Sequence, residues 1–346
     1  LDATSNGEII GAVAIGHNAL SASQAVIGTA LGYLALEDMT SGVGNTALGY
    51  RACEQITDSG YNTAVGHQAL NAEIQGSHNV AIGYQALYSQ NKGSSAVMGN
   101  VGIGVEAGYH NDTGVNNVWL GYKCGTGVDG NSNSYNVGVG FESLKGITTG
   151  SANTMVGYKS GDSITTGGQN TGIGSDVAFD VDADNQTCLG FQATTDSAND
   201  IAIGNTSVDE VKGQVDFSTF SDKRIKKDVV DNDLGLDFIN LLKPRKFKRV
   251  NPNEYPDDIR KPLDGQDKEG NKFEWTDAQA NKVWDGLIAQ EVKEAIDKCG
   301  TTFSGWNEEK NSKQLLTYST MVMPLIKAVQ ELSAKVEDLE KQLKDK

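Results

Sequence analysis

Histidine runs out at His110 in this 346-residue chain. A Ser-His-Asp triad therefore cannot be assembled anywhere in the C-terminal part. Cysteine is as scarce. Cys53, Cys124, Cys188 and Cys299 sit at spacings that fit neither a disulfide framework nor a metal ladder, which leaves them as small apolar fillers or surface thiols. No apolar run approaches the length of a membrane-spanning helix. Basic residues are outnumbered 29 to 45 by acidic ones, and the net charge of −16 argues against binding to a nucleic-acid backbone. The chain starts at Leu1 without Met and without a basic or apolar leader, the start expected of a fragment. Asp180, Asp182 and Asp184 imitate the opening of a calcium loop. The sixth position holds Asn185 instead of Gly and the twelfth holds Phe191 instead of Glu, so a solvated acidic turn is expected and no metal. No other residue set suggests a cofactor.

What is abundant is glycine, 41 residues against a usual share of about 7%. Many of these glycines belong to one phrase, aliphatic-Gly-aromatic, as in Ile15-Gly16-His17, Leu31-Gly32-Tyr33, Leu48-Gly49-Tyr50, Val65-Gly66-His67 and Ile82-Gly83-Tyr84. The glycines from Gly16 to Gly83 lie 16, 17, 17 and 17 residues apart, and after a longer step to Gly104 the spacings are 17, 19, 17, 17, 16 and 14. A unit this short cannot hold a helix pair. It fits two brief strands and two turns, one coil of a β-solenoid. Four-residue stretches such as Ser59-Gly60-Tyr61-Asn62, Gly76-Ser77-His78-Asn79, Gly114-Val115-Asn116-Asn117 and Gly167-Gly168-Gln169-Asn170 supply the positive-φ residues that tight turns need. His17 and His67 share a slot with Tyr33, Tyr50, Tyr84, Tyr122, Tyr158, Phe141 and Phe191, so they are ladder residues and not ligands. About twelve coils at roughly 4.8 Å each make a rod of about 55 to 60 Å. Each coil offers only two or three aliphatic side chains, many of them Ala or Val. Three chains burying their aliphatic edges against one another are expected to complete so lean a core, with a monomeric solenoid as the alternative. The phrase, over residues 9 to 205, resembles the head repeats of trimeric bacterial adhesins and of phage and algal-virus fibres.

Near residue 206 the Gly-periodic, charge-poor pattern gives way to Lys, Asp, Glu and Pro. Three segments are expected: a repeat rod over 1–205, a connector over 206–220 and a second domain over 221–346. The chemistry sits at the start of the last, in Phe220-Ser221-Asp222-Lys223-Arg224-Ile225-Lys226-Lys227-Asp228. Without histidine, a serine there could still be activated by a lysine whose amine is neutral when buried. Ser221 and Lys226 are five apart, on opposite faces of a strand and about 140° apart on a helix, so their pairing needs a turn. Spacing alone does not choose Lys226 over Lys223 or Lys227.

The string Ser221 to Lys227 is followed in order by Leu234-Gly235-Leu236-Asp237-Phe238-Ile239, Leu242-Lys243-Pro244-Arg245-Lys246-Phe247, Gly286-Leu287-Ile288-Ala289-Gln290-Glu291-Val292 and the stretch from Tyr318 to Leu332. That order is similar to the intramolecular chaperone domain that ends phage endosialidases, tailspikes and neck appendages, a module also found in membrane-bound eukaryotic transcription factors. The likeness covers about residues 216 to 346. It implies an α+β fold, Ser221 as autoproteolytic nucleophile, Lys226 as its partner and a cut between Phe220 and Ser221. No other activity is implied. Residues 250 to 280, with Pro252, Pro256, Pro262 and Trp275, are the part of this module that the motifs leave blank.

The tail carries its own signal. Val322, Leu325, Val329, Leu332, Val336, Leu339 and Leu343 step by 3, 4, 3, 4, 3 and 4, an unbroken a/d seam with Glu331, Lys335, Glu337 and Lys341 among the flanking charges. Such a helix forms a coiled coil or packs on its own domain. The heptads lean towards two strands, so the number three comes from the resemblance. Pro324 starts or bends this helix. Near-identical coils can pair one step out of register, and a C-terminal trimer would remove the slipped alternatives before release leaves a kinetically stable rod. The expectation is a viral or phage tail fibre or spike on the virion, a homotrimer that attaches to a host-surface receptor of glycan type. A cellular trimeric surface adhesin and a fragment of a glycan depolymerase are the alternatives; the first would need an anchor, the second a repeated carboxylate pair, and neither is visible.

Overall fold

The computed structural model describes residues 11–22, 27–90, 97–208, 210–214, 217–260, 270–309 and 313–345. The chain divides into two compact units, Leu1–Val208 and Asp209–Lys346.

The first unit is a solenoid whose strands, from β1 (Ala12–Ile15) to β12 (Ile201–Ile203), form one parallel twelve-stranded sheet in sequence order. Equivalent positions pair from coil to coil, Ala14 with Ala30, Ala47 with Ala64, Ala81 with Gly102. Among the described residues each coil carries one strand, not the two expected from its length; elsewhere the coils pair only through isolated parallel bridges, Ser77 with Val97, Asn111 with Asn131 and Ala178 with Thr194. The remainder runs through corners at positive φ: in one coil Gln68, Leu70 and His78, in the next Gln85 and Leu87. A corner of this kind turns the chain in one residue, and that uses up the length a second strand would need.

Within each strand it is the alanine, Ala14, Ala30, Ala47, Ala64 and Ala81, that fills the coil, while the aliphatic residue before each glycine faces out, Ile15 being 59% exposed. In several coils the interior is completed by a large side chain at a positive-φ corner, Leu36, Leu70, Leu87 and Leu144, whereas the same corner is Cys53, Gly108, Gly125 or Gly161 in others. Burying a leucine is worth about 1.5–3 kcal/mol, and holding it in the left-handed region costs about 1–2 kcal/mol. The strain offsets part of that gain at each such leucine, while Met39, Ile56, Trp119, Ile147, Met155 and Ile164 are buried at ordinary backbone angles.

The glycine of the phrase has a steric cause. At Gly66, with φ of +141°, an added Cβ would lie 2.2 Å from the carbonyl oxygen of Gly83 in the next coil, and the same collision recurs from Gly16 to Gly174. Each of the turn stretches holds a positive-φ residue, as its sequence leads one to expect. Positive φ falls on Tyr61, His78, Asn116 and Gln169, not on the glycines beside them. Those glycines allow close approach instead, a Cβ at Gly114 lying 1.9 Å from the carbonyl of Asn133. The asparagine that follows each corner is buried and forms an internal ladder. Asn62 N–H donates to Asn45 Oδ1 at 2.9 Å, Asn79 N–H to Asn62 Oδ1 at 2.9 Å, and the chain of bonds continues through Asn100, Asn117, Asn136, Asn153 and Asn170 to Gln186. Every one of these amides would be costly to bury without such partners.

The second unit is mixed. Helix α1 (Leu236–Leu241) leads into β13 (Arg245–Lys248), which pairs antiparallel with β14 (Val283–Gly286); between them lies the short helix α2 (Asp277–Asn281), opened by a capping box from Thr276 and Gln279. Helix α3 (Ala289–Cys299) ends at Gly300 in the left-handed conformation. A second hairpin joins β15 (Trp306–Glu308) to β16 (Gln314–Leu316), and α4 (Val322–Lys344) closes the chain. Leu234, Phe238, Val292, Ala295, Ile296 and Met321 form the core. Helix α4 meets this core through Pro324 and Ala328, both buried, and Glu331 accepts the N–H of Leu236 at 2.8 Å. Pro324 thus stands in the first turn, where a missing N–H is harmless. The a/d seam lies on another face, with all seven residues from Val322 to Leu343 between 46 and 75% exposed. The helix packs on its own unit and still presents the seam to solvent.

Candidate functional site: a serine–lysine pair at the head of the second unit

A short 3₁₀ turn, Lys223–Ile225, supplies the bend that a five-residue separation needs. Asp222 caps it. Its carboxylate accepts from Arg224 N–H at 2.8 Å and is gripped by the same guanidinium, Nε at 3.0 Å and Nη2 at 2.7 Å. This fork holds the Asp222 carboxyl below the usual aspartate range, chiefly through the Arg224 side chain. The N–H of Lys226 returns to the carbonyl of Lys223 at 3.2 Å. With the chain folded this way, Lys226 Nζ donates to Ser221 Oγ at 2.8 Å. Of the three lysines that spacing could not separate, Lys226 makes this bond, and Lys227 stands 4.0 Å from Asp228.

The pair lies in the open. Ser221 and Lys226 are exposed, and Phe217 and Phe220 are 95 and 94% exposed. Ile225, Val229 and Val230 are also largely in solvent. A lysine amine becomes a base at neutral pH when burial penalises its charged form. The single chain supplies the contact and not the burial. An amine bonded to a hydroxyl beside a peptide carbonyl is suited to one reaction class, acyl transfer to that oxygen.

The solenoid's outer face carries stacked ring ladders. His17, Tyr33, Tyr50, His67 and Tyr84 stack in succession at 4.8 to 5.4 Å between ring centroids, and Tyr122, Phe141 and Tyr158 repeat the pattern. His17 and His67 thus stand where the ladder reading put them. Neighbouring rings cover each other's faces, so the ladder presents edges. The acidic turn is tied to the adjacent coil: Asp182 accepts from the Thr165 and Thr166 hydroxyls at 2.9 and 2.7 Å, which lowers its carboxyl below the usual range, the Thr166 bond first. Among the described residues no group of three His, Cys, Asp or Glu is placed to hold a metal ion. Cys53, Cys124 and Cys188 are buried fillers, with burial pushing the Cys124 thiol up to about 12, and Cys299 is exposed. Among the described residues no helix is long and apolar enough to cross a membrane.

Two buried residues gave no sign in the sequence. Glu73 is enclosed in its coil, its Oε1 accepting from the N–H groups of Gln75 and Gly76 while Oε2 has no partner, and burial raises its carboxyl above the ordinary value. Trp119 replaces the strand alanine in β7 (Val118–Leu120). It fits because Gly108, Gly125 and Gly138 face it, where any Cβ would lie 2.3 to 3.0 Å from the ring system.

Fold and site together define a parallel β-solenoid followed by a separate mixed unit with a serine–lysine pair at its head. No family model, curated protein or solved structure matches the chain.

Proposed function

We propose that the chain is a homotrimeric fibre or spike of a virion, a rod for attachment to a host-surface glycan, whose C-terminal unit is an intramolecular chaperone that aligns three chains and then detaches itself. The observation that carries this reading is the 2.8 Å bond from Lys226 Nζ to Ser221 Oγ next to Phe220. As Ser221 Oγ attacks the Phe220 carbonyl, its proton passes to a neutral Lys226 amine. The C–N bond breaks, the Ser221 amine takes up a proton and an ester links Phe220 to Oγ. Water then hydrolyses the ester to a Phe220 carboxylate and the free Ser221 hydroxyl. No cofactor or metal is required.

Two features support assembly before cutting. The solenoid presents Ile15, Leu31, Leu48, Ile82, Leu120 and Ile173 as a continuous aliphatic row outside each coil, and exposed apolar rows of this extent mark interfaces. The segment that carries the pair likewise exposes Phe217, Phe220, Val229 and Val230. Neighbouring copies covering that segment would bury Lys226 and favour its neutral form, so cutting would wait for assembly.

Denaturing gels with intact masses test the proposal. The native chain should yield two fragments meeting at Phe220 and Ser221, Ser221→Ala should stay whole, and Lys226→Ala should be cut at least a hundredfold more slowly. Identical patterns for native and Ser221→Ala chains after assembly would overturn it.

A further inference from the structure

The second unit contains an open apolar groove of about 600 Å³ between α1, the β13–β14 pair and the start of α4, floored by Ile239, Leu242, Pro244, Leu287, Met321 and Leu325. Its polar rim is already engaged. Arg245 Nε donates to Glu291 at 3.0 Å, Lys246 meets Asp285 at 3.2 Å, and the Tyr318 hydroxyl accepts the N–H of Leu287 at 2.8 Å. The Arg245 bond, first among its causes, holds the Glu291 carboxyl below the usual range. Small-molecule sites combine an apolar floor with convergent free polar groups, and here the rim groups are spent on one another. What fits is apolar side chain.

The same chain presents a matching projection. Val322, Met323 and Ile326 are 47, 55 and 48% exposed and form a ridge on the first two turns of α4. At 100° per residue, Met321 lies towards one flank of the exposed seam and Ile326 towards the other, with Val322 and Leu325 in the seam between them; Met321 and Leu325 border the groove. A copy laid parallel along the seam therefore brings its ridge against the groove of its neighbour. The seam cannot fix the height at which two copies meet. Val and Leu alternate along it with little else to distinguish one heptad from the next, so a slip of seven residues loses only the terminal layers. A single ridge entering a single groove has one height.

We propose that the groove receives the Val322–Ile326 ridge of a second copy of this chain, and that this lock sets zero stagger between the C-terminal helices. The inference rests on the reading of this unit as an assembly template and names the contact that gives the template its register. Val322 and Leu325 belong to the a/d seam while Met323 and Ile326 lie outside it, so the lock adds a contact beside the coiled coil at its start.

Cross-linking in the full-length chain tests it, with Ser221→Ala to keep the unit attached and Cys299→Ser to remove the exposed thiol. Ile326→Cys and Leu242→Cys are introduced singly and together, and a short bismaleimide is added to the assembled protein. The double variant should give a covalent species of the same size as the native assembly, at least tenfold more than either single variant. A double variant that stays monomeric on the gel while its native mass is that of several chains overturns the lock and leaves the template reading standing. Cross-linking of Ile326→Cys alone at the level of the double variant also overturns it, because the ridge would then face itself. A native mass of one chain overturns both. A second measurement needs no cysteine: Ile326→Asp should lower the yield of assembled protein at least tenfold, whereas Ala334→Asp, exposed two turns further along the helix and opposite the seam, should leave it unchanged; equal yields speak against the lock.

Discussion

At the scale of single residues, the glycine that announces the repeat is fixed by the coil above it. Gly66 at φ +141° is outside the range of L-residues, and a methyl there would meet the Gly83 carbonyl at 2.2 Å, backbone against backbone. Gly130, by contrast, has φ of +77° with nothing within 4 Å of an added Cβ. Gly66→Ala is expected to destabilise the rod by about 3–5 kcal/mol, the sum of strain and overpacking. Gly130→Ala should cost about 1–2 kcal/mol, the penalty of a left-handed residue alone. Urea unfolding of both variants measures the difference. Equal midpoints would mean that coil contact does not set the glycine ladder. The serine–lysine pair obeys a similarly local logic, in which Asp222 and Arg224 bend the chain so that Lys226 reaches back to Ser221.

At the scale of elements, the period was legible in the sequence because one glycine per coil is obligatory. The corner residues were not. Tyr61, His78 and Gln169 all adopt positive φ, and nothing in a tyrosine, a histidine or a glutamine announces it. An asparagine in the sequence signals a turn former as readily as a buried ladder residue, and only the stacked coils reveal the ladder from Asn45 to Gln186. The α4 seam was legible for a related reason, since heptads repeat locally, whereas its packing through Pro324 and Ala328 depends on α1 and on the core around Phe238. Glu73 shows what one coil can hide. Burial is the main cause of its raised carboxyl, with the Asp112 charge a smaller one, and the backbone bonds from Gly76, Gln75 and Ile74 oppose them. The folded state therefore binds a proton more tightly than the unfolded chain, whose glutamate titrates near 4.3. Its contribution to stability is complete below that pH and is lost as pH rises through the folded value. Glu73→Gln keeps an oxygen for Gln75 and Gly76 and removes the charge. The variant should be more stable than the native rod at pH 8, by about 1–3 kcal/mol, with the gap closing below about pH 4. A gap that widened on acidification would show the carboxylate to be the favoured form.

At the scale of the whole molecule, the question is where the outward aliphatic row goes. Coil interiors are closed by alanine, the asparagine ladder and large side chains such as Leu36, Met39, Leu70 and Leu87, and these leave Val65 half-buried beside the exposed His67. In a rod of one chain the two positions are nearly equivalent, and a charge at either would stay within the ±0.5 kcal/mol usual for surface substitutions. In a parallel trimer they separate. Val65 and its equivalents Ile15, Leu31, Leu48 and Ile82 point towards the axis, and the ring ladder of His67, Tyr50 and Tyr84 lies nearer the rim. Val65→Asp would then place three carboxylates close together in a water-poor interior, costing several kcal/mol per chain unless they take up protons. Val65→Asp is therefore expected to prevent assembly or to lower the melting temperature by tens of degrees, and His67→Asp to lower it by only a few. Melting curves, together with the sedimentation mass of the processed rod, decide the matter: similar melting temperatures for the two variants, or a mass of one chain, would place the aliphatic row in solvent and remove the threefold axis.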